Sequence, residues 1–420
     1  MKIREPFVLS INNDKVNPLV WFLFVIYIVL TNIVTQLFNM EASRISGIIL
    51  LAPIFFMIVV FVLCSHGIIR VEFSYFHTYI LVFGFFCLAS SLWAQSPELA
   101  ISKGIDIIEI FIIMLIVSIC FQQVDSVDSI LKAIMWGYYA VILYEIVFYG
   151  WDYFVTVMKE STRVTSELLN SNTLGMCAAF AIMINLYLLL SKKISLWTVT
   201  LLFFGMVVVI ASGSRKALVS LFLGIFLFFL VRSLRKNQQT LPLFRFLIAL
   251  PVVAFIGYQI LRLPIFSGIM KRMEGMFNIV VGGTVEKSAM IRMSLVQLGL
   301  ELFKQHPLLG VGIDNPRLYT YEVVGETYYL HNNYMEILSS GGIVGFISYY
   351  WMYVKLLISY IRRRDFDDLQ YCICFVILIL LLIMDYGMVS YYSKSTYIFL
   401  FLFVEFEKKL RFGRGAGGKR

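Results

Sequence analysis

His331-Asn332-Asn333-Tyr334-Met335-Glu336 closes the one long polar interruption in a chain that otherwise reads as membrane. The interruption covers 261–333 and separates a train of apolar runs from a last group beginning near residue 340. An ionisable imidazole therefore stands where the chain re-enters lipid. Asn332 or Asn333 can cap the helix that starts there. Ser339, Ser340, Gly341, Gly342 and Gly345 follow, a small-residue face suited to close helix packing.

Outward from this point the apolar runs set the fold class. Sixty per cent of the 420 residues are hydrophobic and mean hydropathy is +0.83, which excludes an ordinary soluble domain. Runs long enough to cross about 30 Å of hydrocarbon lie near 19–38, 46–64, 73–93, 104–121, 129–150, 173–191, 195–211, 216–232, 241–260, 340–361, 371–392 and 395–407. They predict an all-α integral membrane protein of about 12 transmembrane helices, with a large extracytoplasmic loop between helices 9 and 10. The organisation read from them is a cytoplasmic N-terminus (1–18), helices 1–9 (19–260), the loop (261–333), helices 10–12 (334–407) and a basic cytoplasmic tail (408–420). No cleavable signal peptide is expected, because the first run is already span-length.

Orientation follows the placement of Lys and Arg. With the N-terminus cytoplasmic, Lys192-Lys193, Arg362-Arg363-Arg364 and Lys408-Lys409 all fall inside, whereas short outer loops carry scattered cations such as Arg44 and Lys103. Both termini then lie in the cytoplasm. The net charge of +9 is a positive-inside signal with a basic tail near anionic headgroups, and gives no reason to expect nucleic acid. The six Cys all fall within expected spans, where they read as small packing residues. Only four His occur, none paired at metal-ligand spacing, and no phosphate-binding loop, Gly-x-Ser-x-Gly or dinucleotide fingerprint is present. No metal or other cofactor is expected.

Within the loop, Thr284 to Lys304 has helical spacing, with Ile291, Leu295, Leu298 and Leu302 in one apolar row and Met293, Val296, Leu300 and Phe303 in another. His306-Pro307 ends it, and Gly310-Val311-Gly312 reads as a flexible turn. The candidate chemistry gathers on the outer side. Arg215, in Ser212-Gly213-Ser214-Arg215-Lys216, lies at the outer boundary, either snorkelling to headgroups or offering its fork of donors to a phosphate. Arg163 is either a surface loop charge or a phosphate ligand, and Arg292 either a solvated or headgroup-facing arginine or a phosphate ligand. His331 is either a helix-start residue satisfied by backbone or a general base with a pKa near neutrality. Tyr334 and Glu336 beside it are candidate contacts to sugar or acceptor. Asp385, deep in an expected span, either pairs with an arginine or marks a cavity.

Four segments together resemble the O-antigen ligase and O-antigen polymerase superfamily of bacterial envelope polysaccharide assembly. They are Ser212-Gly213-Ser214-Arg215 before an apolar helix; Arg292 with His306-Pro307-Leu308-Leu309-Gly310-Val311-Gly312; His331-Asn332-Asn333-Tyr334 with Gly341-Gly342-Ile343-Val344-Gly345; and Arg163 with Asn170, Asn172, Leu174 and Gly175. Glu167 and Leu168 depart from that last pattern, and Trp93 to Pro97 is a weaker fifth match. The resemblance implies a GT-C-like, metal-independent glycosyltransferase in the bacterial cytoplasmic membrane. Its donor would be a glycan on undecaprenyl diphosphate at the outer face. Arg163, Arg215 and Arg292 would hold the diphosphate and His331 would act at the acceptor hydroxyl. The other partners implied are a glycan or lipid-linked acceptor, membrane lipids and a chain-length regulator. Polymerase and ligase activities both fit, with polymerase favoured. A flippase for the same lipid-linked sugars is the competing class, and the lack of matched halves argues against it.

Overall fold

The computed structural model describes residues 16–37, 43–64, 71–122, 126–153, 171–191, 195–234, 287–362 and 369–417, with isolated positions at 156 and between 247 and 270. Its regular structure is helical, and no strand occurs among the described residues. In chain order the long helices are α1 (Pro18–Leu37), α2 (Ser43–Cys64), α3 (Tyr75–Ala89), α4 (Pro97–Cys120), α5 (Ser126–Tyr149), α6 (Ser171–Ser191) and α7 (Leu196–Ser212). There follow α8 (Arg215–Ser233), α9 (Lys287–Gln305), α10 (Arg317–Val324), α11 (Asn333–Arg362), α12 (Leu369–Met384) and α13 (Lys394–Gly417).

Local chemistry sets several boundaries. Asn17 Oδ1 accepts the Leu19 N–H at the start of α1, and Pro97 opens α4 at a position whose N–H would have no helical partner anyway. Among the described residues six helices are long and apolar enough to cross a membrane, and three shorter apolar helices accompany them. Each expected span except 241–260, most of which lies outside the described residues, overlaps a described helix. Of the charges along α4, Lys103 pairs with Asp106 at 3.1 Å, and Glu109 pairs with Lys394 of α13 at 3.0 Å.

α13 runs through the middle of the bundle. It packs against α1, α4, α5, α11 and α12, and Phe399 to Phe406 of its length is buried on nearly every side. A helix apolar all round is expected only where neighbours cover every face. The expected last span, 395–407, is thus the centre of the fold.

Two regions depart from the sequence expectations. The span expected over 371–392 ends early, at Met384, and residues 385–393 form turns and irregular backbone. That early stop carries Asp385, Gly387 and Ser390 to the end of the bundle where α8 begins and α11 begins. The second departure is the Gly-Val-Gly segment, which is clamped rather than free. α11 is broken at Gly342 (φ 59, ψ −161), and residues 307–312 fill the break. Val311 and Gly312 donate their N–H groups to the carbonyls of Ser339 and Ser340, while Ile343 and Val344 donate to those of Pro307 and Leu308, all at 2.9–3.2 Å. Backbone groups that a continuous helix would have paired internally are satisfied by this segment instead.

The clamp is held from a third side by the turn after α3. Trp93 Nε1 donates to the Leu309 carbonyl at 3.2 Å, and Ser90 Oγ accepts the Ile313 N–H at 3.1 Å. Asn315 accepts the Ser96 N–H at 2.7 Å and returns a bond to the Ser96 carbonyl. The small residues of 339–345 serve this arrangement: Gly341 and Gly345 approach the ring of Phe86, and Gly342 approaches the backbone of Leu308.

Candidate functional site

The start of α8 is built by two serines. Ser212 Oγ donates to the Val209 carbonyl and accepts the Ser214 N–H, across a left-handed Gly213 (φ 61) that ends α7. Ser214 Oγ donates to Asn172 Oδ1 at 2.9 Å and accepts the Ala217 N–H, capping α8. A Cβ at Gly175 would lie 2.6 Å from Ser212 Oγ and 2.8 Å from Ala217 Cβ. The Asn172-to-Gly175 element and the Ser-Gly-Ser turn are therefore two halves of one helix junction. The junction fixes the rotation of α8, so that Lys216, Val219 and Ser220, spaced i, i+3, i+4, share a face.

His331 sits in a backbone turn that its neighbours over-determine. Its φ is +55, a left-handed conformation that costs an L-residue about 1–2 kcal/mol. On one side the carboxylate of Glu336 accepts the Leu330 N–H at 2.8 Å. On the other, Asn332 Oδ1 caps α11 at the Met335 N–H. Asn333 donates its main-chain N–H to the Asp385 carbonyl at 2.7 Å, and its side-chain oxygen accepts the N–H groups of Ser390 and Tyr391. The side-chain nitrogen of Asn333 reaches Asp385 Oδ2 and the Tyr350 hydroxyl. Asp385 itself accepts from Ser390 Oγ and the Tyr350 hydroxyl. Of the two readings of Asp385, the arginine partner is not what the structure shows. The carboxylate is saturated by neutral donors and ties the 385–391 turn to the head of α11.

α9 lies across this assembly. Leu295 and Leu302 are buried against it, and Gly299 lets α9 approach Leu330 and Met335 closely. The second apolar row is not buried in this way: Met293 and Leu300 are exposed and, with Val296, form one wall of a cavity. Arg292 belongs to the same stripe of α9.

The cavity has a volume of about 580 Å³. Its walls are α8 (Lys216, Val219, Ser220), α9 (Arg292, Met293, Val296, Gln297, Leu300), the His331 turn, and the end of α12 with its following turn (Ile383 to Gly387, without Asp385). Lys216 Nζ also donates to the Gly387 carbonyl, which tethers the turn. Apolar walls thus surround two cations and an imidazole. Burial first, then the Arg292 and Lys216 charges, push the His331 imidazole down to about 4. The ring is therefore neutral at physiological pH, with Tyr329 packed on it at 4.2 Å between centroids. The near-neutral value expected from the sequence does not hold, because the ring is buried and two positive charges face it.

Of the residues singled out in the sequence, Arg292 and His331 line this cavity together. Arg215 is half-buried one position before Lys216 and is not among the lining residues, because successive helix positions differ by about 100°. Arg163 and Asn170 lie outside the described residues. Tyr334 donates to the Leu382 carbonyl at 2.6 Å, and Glu336 is buried beneath the His331 turn; neither lines the cavity. Lys216 was not singled out, although it adjoins Arg215. The rotation of α8, which the Ser214 cap and Asn172 fix, selects the lysine for this wall.

These features define a helical, multi-pass membrane protein with an amphiphilic, cationic cavity at one end of its bundle. Residues 198–350, from α7 to the middle of α11, match the family described as O-antigen ligase. No curated protein matches the chain. The matched segment contains Lys216, Arg292 and His331. Members of the family are glycosyltransferase-like enzymes, ligases or polymerases, and the family implies lipid-linked glycan substrates.

Proposed function

We propose that the protein transfers a glycan from undecaprenyl diphosphate to a sugar hydroxyl at the outer face of the cytoplasmic membrane. The observation that carries this reading is the joint lining of one apolar-walled cavity by Lys216, Arg292 and His331. A lipid diphosphate has the matching chemistry: two anionic phosphates for the cations and a hydrocarbon tail for Val219, Ile383 and Tyr386. Arg292 and Lys216 hold the diphosphate, with Arg215 and Arg163 as further cations of the same approach. The acceptor oxygen bonds to the anomeric carbon as the anomeric carbon–oxygen bond breaks. The electron pair leaves on the diphosphate, and the hydroxyl proton passes to His331. Fixed cations beside the leaving group stabilise its growing charge, the role a metal fills elsewhere. Glu336 holds the His331 turn from beneath, and Tyr334 ties the head of α11 to α12.

Polymerisation of lipid-linked repeats is the leading activity and ligation to a terminal acceptor the alternative. Purified protein in vesicles with lipid-linked glycan as sole substrate is expected to give a ladder of products. Product formed only when a distinct acceptor is added would assign ligation. No glycosidic product under either condition would end the transfer reading in favour of a flippase.

The cavity electrostatics add a pH prediction. In the free protein burial, and after it the charges of Arg292 and Lys216, disfavour the imidazolium. A bound diphosphate neutralises both, so the imidazole pKa rises on binding. A group whose pKa rises on binding takes up a proton at any pH between its free and bound values. Titration calorimetry with a glycan-linked diphosphate at about pH 6, in buffers of different ionisation enthalpy, should register net proton uptake that His331→Ala abolishes. The same heat in every buffer would contradict this.

A further inference from the structure

A second depression of about 450 Å³ adjoins the cavity across α9. Its α9 wall is Met293, Ser294, Gln297, Leu298 and Glu301, and Val323 of α10 faces it. The first cavity uses Arg292, Met293, Val296, Gln297 and Leu300 of the same helix. The second set is the first advanced by one residue, a rotation of about 100° around α9. Met293 and Gln297 belong to both and form the ridge between them.

The two sides of that ridge differ in chemistry. One holds Arg292, Lys216 and His331. The other holds a serine hydroxyl, an amide and a carboxylate, with Gln297 Nε2 donating to Glu301 Oε1 at 3.0 Å. A carboxylate repels a diphosphate. A carboxylate, an amide and a hydroxyl offer acceptors and donors to a neutral, hydroxyl-rich ligand, while Met293, Leu298 and Val323 cover the C–H face of a sugar ring.

We infer that the Ser294–Gln297–Glu301 side of α9 is a sugar subsite, which takes the glycan of a donor whose diphosphate lies against Arg292 across the ridge. This rests on the diphosphate reading of the neighbouring cavity. It assigns α9 two functions, one on each side of the Met293–Gln297 ridge.

The test uses the full-length protein in lipid nanodiscs and two probes. One is undecaprenyl diphosphate without sugar; the other is the glycan-bearing lipid extracted from cells lacking this gene. Ser294 and Glu301 are exposed on α9, and their replacement leaves the packed Leu295 and Leu302 untouched. Glu301→Ala and Ser294→Ala are each expected to weaken the glycan-bearing probe, Glu301→Ala by about ten-fold, and to leave the bare diphosphate unchanged. Unchanged binding of the glycan-bearing probe, or equal loss of both probes, would overturn the subsite. Arg292→Ala separates the two ideas: it should weaken both probes. If it weakens neither, the diphosphate reading fails on its own, whatever Glu301 does.

Discussion

Arg292→Ala is expected to lower glycan transfer by about a hundred- to thousand-fold while the protein still inserts and folds. The size follows from where charge develops. As the anomeric bond breaks, negative charge grows on the departing diphosphate, and a guanidinium fixed beside the leaving group stabilises that charge. Folding is spared because Arg292 is exposed on the cavity side of α9, whereas Leu295 and Leu302 anchor that helix. Arg292→Lys should recover part of the loss, since it keeps the charge without the planar fork. His331→Ala should behave alike if the imidazole takes the acceptor proton, and its loss should persist at saturating donor. Measured turnover of purified, monodisperse variants decides this; wild-type rates for both alanine variants would leave the cavity without a catalytic role.

Gly342→Ala has the largest expected effect on folding. At φ 59 and ψ −161 the residue occupies a region open essentially to glycine alone. A Cβ there would lie 2.3 Å from both the carbonyl carbon and oxygen of Leu308. Those are main-chain atoms, fixed by the four bonds that join 307–312 to the break in α11, so no side-chain rotation relieves the clash. Strain and overpacking together should remove more than about 3 kcal/mol, enough to prevent accumulation of folded protein. Gly325→Ala is the internal control. Gly325 also has positive φ (78) but nothing within 4 Å of the added methyl, so only the backbone penalty of about 1–2 kcal/mol applies. Folded yield in membranes, followed by thermal unfolding in detergent, should rank wild type first, then the Gly325 variant, then the Gly342 variant. Equal stability of the two variants would mean that the clamp yields.

The Gly342 clamp also explains what the sequence motifs are for. His306-to-Gly312 and Gly341-to-Gly345 look, on paper, like a flexible turn and a packing face. In the fold they bind one another through main-chain atoms. Gly310 is as constrained as Gly342, since a Cβ there would lie 2.3 Å from the Ser340 carbonyl carbon. Their glycines make a close backbone approach possible, and the catalytic proposal does not need them to move.

Hydrophobic runs are a local property, so the helical membrane character and most helix positions could be read from the chain without coordinates. The amphipathic α9 and a cap at Asn332 or Asn333 were legible for the same reason, since both are set by spacing along one helix, and the structure selects Asn332. Rotation and mutual approach are not local. Choosing Lys216 over Arg215 for the cavity wall required the junction of Ser214 with Asn172, residues 42 positions apart. The lowered pKa of His331 required knowing that the fold buries the ring and that Arg292 and Lys216, from two other helices, face it. The early end of α12 delivered Asp385, an expected intramembrane charge, to neutral partners on α11 and its own turn. Sequence alone determined which segments leave water, because transfer free energy sums along the chain. Only the tertiary structure decided which cations share a cavity, because that depends on how each helix is turned by contacts remote in sequence.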